Sequence, residues 1–137
     1  MVQNSLFHSH IKKETSVKNI LLVDDDDGFR ESVRETLSLS GYEVHEVNNG
    51  ADALKCLKTM NIDLLITDIL MPELEGIELS SLVRDINPDL HMIGMSGGGR
   101  IGFDYVKKAS NTHFNSFLAK PFQREELLNE IKKYITE

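Results

Sequence analysis

From Asn19 onward, two patterns of apolar and polar residues alternate along the chain. N-I-L-L-V (19–23), D-L-L-I-T (63–67), H-M-I-G-M (91–95) and N-S-F-L-A (115–119) are short apolar runs without the every-other-residue polarity of a half-wet strand. They read as strands covered on both faces, as in a parallel sheet between helical layers. Y-E-V-H-E-V (42–47) is more polar and reads as an edge strand. Helical spacing fills the intervals. Phe29, Val33 and Leu37 recur at every fourth position, and Gly41 stands where such a helix would end. Ala53, Leu57 and Met60 mark a second helix, and Leu79, Leu82, Val83 and Ile86 a third, stopped by Pro88. A fourth is expected over 101–110, and the last carries Leu127, Leu128, Ile131 and Ile135. Five β-α units predict an α/β fold, one parallel sheet with helices on both faces.

Residues 1–18 show no period and are expected to form a flexible tail, with His8 and His10 binding nothing. Residues 19–137 then make one domain of ordinary size. A net charge of −7 argues against nucleic-acid binding through this domain. No apolar run approaches the ~20 residues needed to cross a bilayer, and the N-terminus lacks the apolar segment of a secretory signal. Cys56 is the single cysteine, so no internal disulfide can form, which fits a cytoplasmic protein. Its spacing with Ala53, Leu57 and Met60 points to the buried side of the second helix.

One stretch is electrostatically costly. Val23 runs straight into Asp24, Asp25, Asp26 and Asp27, with no basic residue before Arg30. Asp26 or Asp27 is expected to cap the first helix. In an open parallel sheet, ligands bind beyond the carboxyl ends of the strands. Strand 1 ends at Asp24 and Asp25, strand 3 at Asp68, strand 4 at Ser96 and strand 5 at Lys120, while strand 2 ends in uncharged Asn48 and Asn49. Singly, these are ordinary cap, turn and surface residues. Jointly, they bring carboxylates, a hydroxyl and an ammonium to one edge. Crowded carboxylates suit a hard divalent cation, and Mg²⁺ favours one or two carboxylates together with water and phosphate oxygens.

At these residues the sequence resembles the receiver domain of two-component response regulators. L-L-V-D-D-D (21–26), I-T-D-I-L-M-P-E-L-E-G (66–76), M-S-G-G (95–98) and F-L-A-K-P-F (117–122) carry the resemblance, which extends from about Asn19 to Tyr134. It implies a flavodoxin-like (βα)5 fold with strand order 2-1-3-4-5. It also implies a phosphorylation-activated switch of a two-component system or phosphorelay, not an enzyme beyond its own phosphorylation and slow dephosphorylation. Asp68 would accept a phosphoryl group from a phosphohistidine on a histidine kinase or histidine phosphotransfer protein. Asp25, Asp68 and the backbone carbonyl of Leu70 would ligate Mg²⁺ or Mn²⁺, with Asp24 acting through water. Lys120 would pair with the Asp68 carboxylate and then with the phosphoryl oxygens. Ser96 would bond a phosphoryl oxygen, and the rotamer of Phe117 would report the state to a downstream protein target. A cis Lys120–Pro121 bond is also expected.

Several positions depart from the family pattern. Leu70 and Gly98 stand where polar side chains can orient the attacking water, so slow loss of phosphate is expected. Phe117 replaces a commoner tyrosine. His113-Phe114 replaces a commoner Gly-Ala, which leaves Phe114 expected at the surface. A nucleotide or flavin site built on S-G-G-G-R (96–100) is disfavoured, because D-D-D-D in the first βα turn would repel a pyrophosphate. An aspartyl-phosphate phosphatase would want a second acid where Leu70 stands. A receiver that only binds partners, without phosphorylation, is the remaining alternative. Since the pattern stops near Glu137, a stand-alone regulator is expected, with the receiver of a larger regulator or hybrid kinase as the other possibility.

Overall fold

The computed structural model describes residues 16–70, 76–97 and 113–136. Its elements are β1 (Asn19–Val23), α1 (Asp27–Leu39), β2 (Glu43–Val47), α2 (Gly50–Thr59), β3 (Leu64–Asp68), α3 (Gly76–Ile86), β4 (His91–Gly97), β5 (Ser116–Lys120) and α4 (Arg124–Lys132). The helix expected over 101–110 lies outside the described residues, as do Gly98, His8 and His10. All strand pairs are parallel, and the order is β2-β1-β3-β4-β5. This is the flavodoxin-like order, and the polar β2 is indeed at an edge.

Strand parity sorts the core into two layers. Ile20, Leu22, Leu64, Ile66, Ile93 and Leu118 face one way, where Val33 and Leu37 of α1 and Leu127 and Ile131 of α4 cover them. Leu21, Val23, Leu65 and Met92 face the other way, against Ala53 of α2 and Leu79 and Val83 of α3. Burying such a side chain contributes about 1.5–3 kcal/mol, so a one-residue slip of any central strand would forfeit several at once. That fixes the register, and the register sets the level of the strand ends. Val23 pairs with Thr67, so Asp24 leaves β1 level with Asp68. Asp68 pairs with Met95, Ser96 with Ala119 and Gly97 with Lys120.

The helix ends follow local chemistry. Asp26 caps α1, its carboxylate accepting from the Phe29 N–H, and Asn49 caps α2 through the Asp52 N–H. Gly41 follows the α1 cap residue with φ of 99°, the left-handed region that glycine adopts without strain. α3 ends at Ile86, ahead of Pro88, and the Lys120–Pro121 bond is cis. Cys56 is half-buried against the second layer.

Leu82 and Ile86 lie in α3 as expected but are 42% exposed each, its buried residues being Gly76, Leu79, Ser80 and Val83. Ser80 tolerates burial because its hydroxyl donates to the Ile77 carbonyl at 2.7 Å. Three expectations need correcting. Met60 ends α2 as its cap residue, and Ile135 is buried beyond the end of α4 rather than within it. Phe114 is 5% exposed, not a surface residue. Its ring tilts against Phe117 with centroids 5.3 Å apart, inside the second layer. A large ring where a small residue is common fills space beneath the sheet instead of projecting from it.

Candidate phosphoacceptor and cation site

The register brings the β1 and β3 ends together as one acidic cluster. Oxygens of Asp24, Asp25 and Asp68 all lie within 4.8 Å of one another. Asp24 is fully buried, Asp68 is 7% exposed and Asp25 is open to solvent. Asp24 is held hard. Its Oδ1 accepts from the Asp26 N–H at 2.9 Å and its Oδ2 from Lys120 Nζ at 2.7 Å. Asp68 is held more loosely, accepting from the Leu70 N–H at 3.2 Å and from Lys120 Nζ at 3.4 Å. Lys120 thus bridges the two carboxylates but favours Asp24 over the Asp68 partner expected from the resemblance. Its ammonium also lies 4.3 Å from the centroid of Phe29, which packs edge-on against Phe122. This cation–π contact adds to its fixation.

Burial pushes the Asp68 carboxyl above the ordinary aspartate range; Lys120 opposes that shift, Asp24 adds to it, and the Leu70 N–H opposes it. A carboxyl whose folded pKa exceeds its unfolded one stabilises the fold at low pH, and that contribution is lost as pH rises through the folded value. Ionised Asp68 therefore sits in an unfavourable field, and a cation beside it would relieve that field. The donor set fits a hard cation: anionic oxygens, one of them solvent-facing, with no competing sulfur or imidazole among the described residues.

Ser96, 1% exposed, stands one strand over from Asp68 at the end of β4. Phe117 lies on β5, half-buried, with its ring edge 3.0 Å from where a Cβ on Gly94 would stand. Leu70, whose N–H donates to Asp68, is 47% exposed.

Two participants were not legible in the sequence. Gly76 opens α3 directly against the strand end, and a Cβ there would come within 2.6 Å of the Ile69 Cα and closer still to the Asp68 carbonyl oxygen. Backbone cannot yield as a side-chain tip can. Gly76→Ala is therefore expected to displace the Asp68–Ile69 backbone and lower the melting temperature by roughly 5–10 °C, a loss of about 2 kcal/mol. A melting curve matching wild type would refute the close approach. The second is Arg30, whose Nη1 donates to the Asp24 carbonyl at 2.8 Å while its Nε bonds Glu46 at 2.9 Å. Its only sequence signal was being the first base after four acids.

Comparison with known proteins agrees with this fold. Residues 20–132 match the response regulator receiver domain family. The chain is 36% identical over 119 residues to the response regulator receiver protein CpdR of Brucella abortus, covering 87% of this chain and 98% of that protein. It is 31% identical over 126 residues to the CAI-1 autoinducer sensor kinase/phosphatase CqsS of Vibrio cholerae, covering 91% of this chain but 18% of that protein. Among solved structures, response regulator protein TrrA of Thermotoga maritima, in complex with Mg²⁺ and BeF, superposes with a TM-score of 0.76 at 33% identity, over 87% of this chain and 100% of that one. No helix among the described residues is long and apolar enough to cross a membrane. The chain belongs to the response regulator receiver domain family, the phosphorylation-activated signalling modules of two-component systems.

Proposed function

We propose that Asp68 is the phosphoacceptor of this receiver, charged by a phosphohistidine on a histidine kinase or phosphotransfer protein. The observation that carries the reading is the Asp24–Asp25–Asp68 oxygen cluster, with Lys120 Nζ shared between Asp24 and Asp68. A carboxylate oxygen of Asp68 attacks phosphorus as the P–N bond to the donor imidazole breaks, and the released imidazole takes up a proton. Transfer of this kind depends on alignment and on neutralising the phosphoryl oxygens rather than on added covalent chemistry. The Leu70 N–H and Lys120 orient the acceptor. As charge arrives, Lys120 exchanges part of its pairing with Asp24 for a phosphoryl oxygen. Ser96 then bonds another, and the ring of Phe117 follows through its packing on the same sheet face. Asp25, Asp68 and the Leu70 carbonyl would hold Mg²⁺ or Mn²⁺, with Asp24 acting through water; the ion supplies charge neutralisation for the in-line displacement. The receiver unit is 19–137, preceded by a tail over 1–18, and it signals in the cytoplasm by altering its grip on a downstream protein, with only slow self-phosphorylation and self-dephosphorylation of its own.

Incubation with acetyl phosphate and Mg²⁺, followed by intact mass measurement, tests the acceptor. The wild-type chain should gain one phosphoryl group and Asp68→Asn none. Labelling of Asp68→Asn would mean a different acceptor. An unlabelled wild type would favour a receiver that only binds partners. The similarity to a sensor kinase/phosphatase supports a second reading of context, in which the same unit serves as the receiver of a longer protein.

A further inference from the structure

Asp25 is exposed, yet a useful ligand must project in one direction. The backbone around it is held at successive points. The Asp24 N–H donates to the Val47 carbonyl at 3.2 Å, the Asp26 N–H donates to Asp24 Oδ1 at 2.9 Å, and Arg30 Nη1 donates to the Asp24 carbonyl at 2.8 Å. That carbonyl belongs to the peptide plane joining Asp24 to Asp25, so its orientation sets where the Asp25 side chain departs. Arg30 is itself fixed. Nη1 pairs with Asp27 at 2.9 Å, Nε pairs with Glu46 Oε1 at 2.9 Å, and Arg34 grips the other oxygen of Glu46 at 2.7 Å. The Arg30 side chain is only 13% exposed.

We infer that Arg30, clamped by Glu46 of β2, is a positioning residue for the cation site, acting through the Asp24 carbonyl to aim Asp25. The inference rests on the cation reading given above and deepens it. A lone guanidinium this close to a cation site would weaken binding by repulsion, and Asp27 and Glu46 offset that charge. What remains is its fork geometry, in which Nη1 reaches the Asp24 carbonyl and Nε reaches Glu46 from fixed positions in one plane, an arrangement the single nitrogen of a lysine ammonium does not reproduce.

The two effects have opposite signs, which makes the test decisive. If charge alone mattered, Arg30→Met would tighten Mg²⁺ binding. Positioning predicts the reverse: calorimetric titration of the full chain with MgCl2 should show the Kd weakened about tenfold, in the range found for outer-shell partners of metal ligands. Arg30→Lys keeps the charge and should still bind more weakly than wild type. Lys55→Met removes a charge from α2, outside the clamp and 82% exposed, and should leave the Kd within about twofold, since an exposed charge is screened. An unchanged or tighter Kd in Arg30→Met overturns the inference, including where the melting temperature without Mg²⁺ falls, because Arg30 would then be merely structural. Should Arg30→Met fail to fold, Arg30→Lys decides alone: weaker binding supports the inference and a wild-type Kd overturns it. A wild-type chain that takes up no Mg²⁺ refutes the site reading itself, and this inference with it.

Discussion

Replacing Asp25 by alanine is expected to remove most of the rise in melting temperature that Mg²⁺ gives the wild-type chain. An ion that binds only the folded state stabilises it by RT ln(1 + [L]/Kd), about 2.7 kcal/mol at a hundredfold excess over Kd. For a domain of this size that is a rise of about 8 °C. Asp25 is exposed, so its removal takes nothing from the core and relieves some repulsion with Asp24 and Asp68. In chelator, the variant should melt at or slightly above wild type; in Mg²⁺, it should gain under ~2 °C. Thermal melts with and without the ion read both quantities. An undiminished Mg²⁺ shift would remove Asp25 from the ligand set. The wild-type shift should also fade on acidification, starting above the ordinary aspartate range. Burial raises the Asp68 pKa, so protons compete with the cation for that carboxylate earlier than for an exposed one.

The phosphorylated chain should keep its phosphoryl group for minutes or longer without a partner. Hydrolysis needs a water held in line behind phosphorus, and side chains that orient such a water contribute ~10²-fold or more when they take part in general acid–base chemistry. Leu70 lies beside the acceptor, 47% exposed, where it can shield the phosphoryl group but can neither donate to water nor accept from it. Leu70→Asn introduces both capacities at a solvent-facing position with little packing to lose. It should accelerate loss of phosphate by about tenfold, followed by intact mass after removal of the donor. Unaided wild-type loss within seconds would refute the reading, as would a Leu70→Asn variant that dephosphorylates no faster.

The chain's own pattern was enough for a parallel sheet covered on both faces and for the list of chemical groups at the strand ends, while the strand order came with the family resemblance. Runs such as Ile20–Val23 and Leu64–Ile66 are apolar on both faces, as strands sandwiched by helices are. A parallel strand delivers whatever follows it to one common edge, so Asp24, Asp25, Asp68, Ser96 and Lys120 could be named from position alone. Periodicity is less informative where a helix face is only marginally covered. Leu82 and Ile86 are apolar and in phase with Leu79, yet they remain half in water, because how far a neighbouring layer reaches over a helix is not written in its spacing.

What only the tertiary structure decided is how those groups pair, because pairing depends on distances between strand ends remote in sequence. The resemblance assigned Lys120 to Asp68, but the Asp24 Oδ2, 2.7 Å away, lies closer than that of Asp68 at 3.4 Å. The packing of Phe114 beneath Phe117, the approach of Gly76 to the Asp68 backbone and the grip of Arg30 on the Asp24 carbonyl are likewise products of assembly. Even where the partners are near in sequence, as Phe114 and Phe117 or Arg30 and Asp24 are, residue type does not say which way each side chain is turned. Residue type sets what a group can do; the register of five strands sets which group it meets.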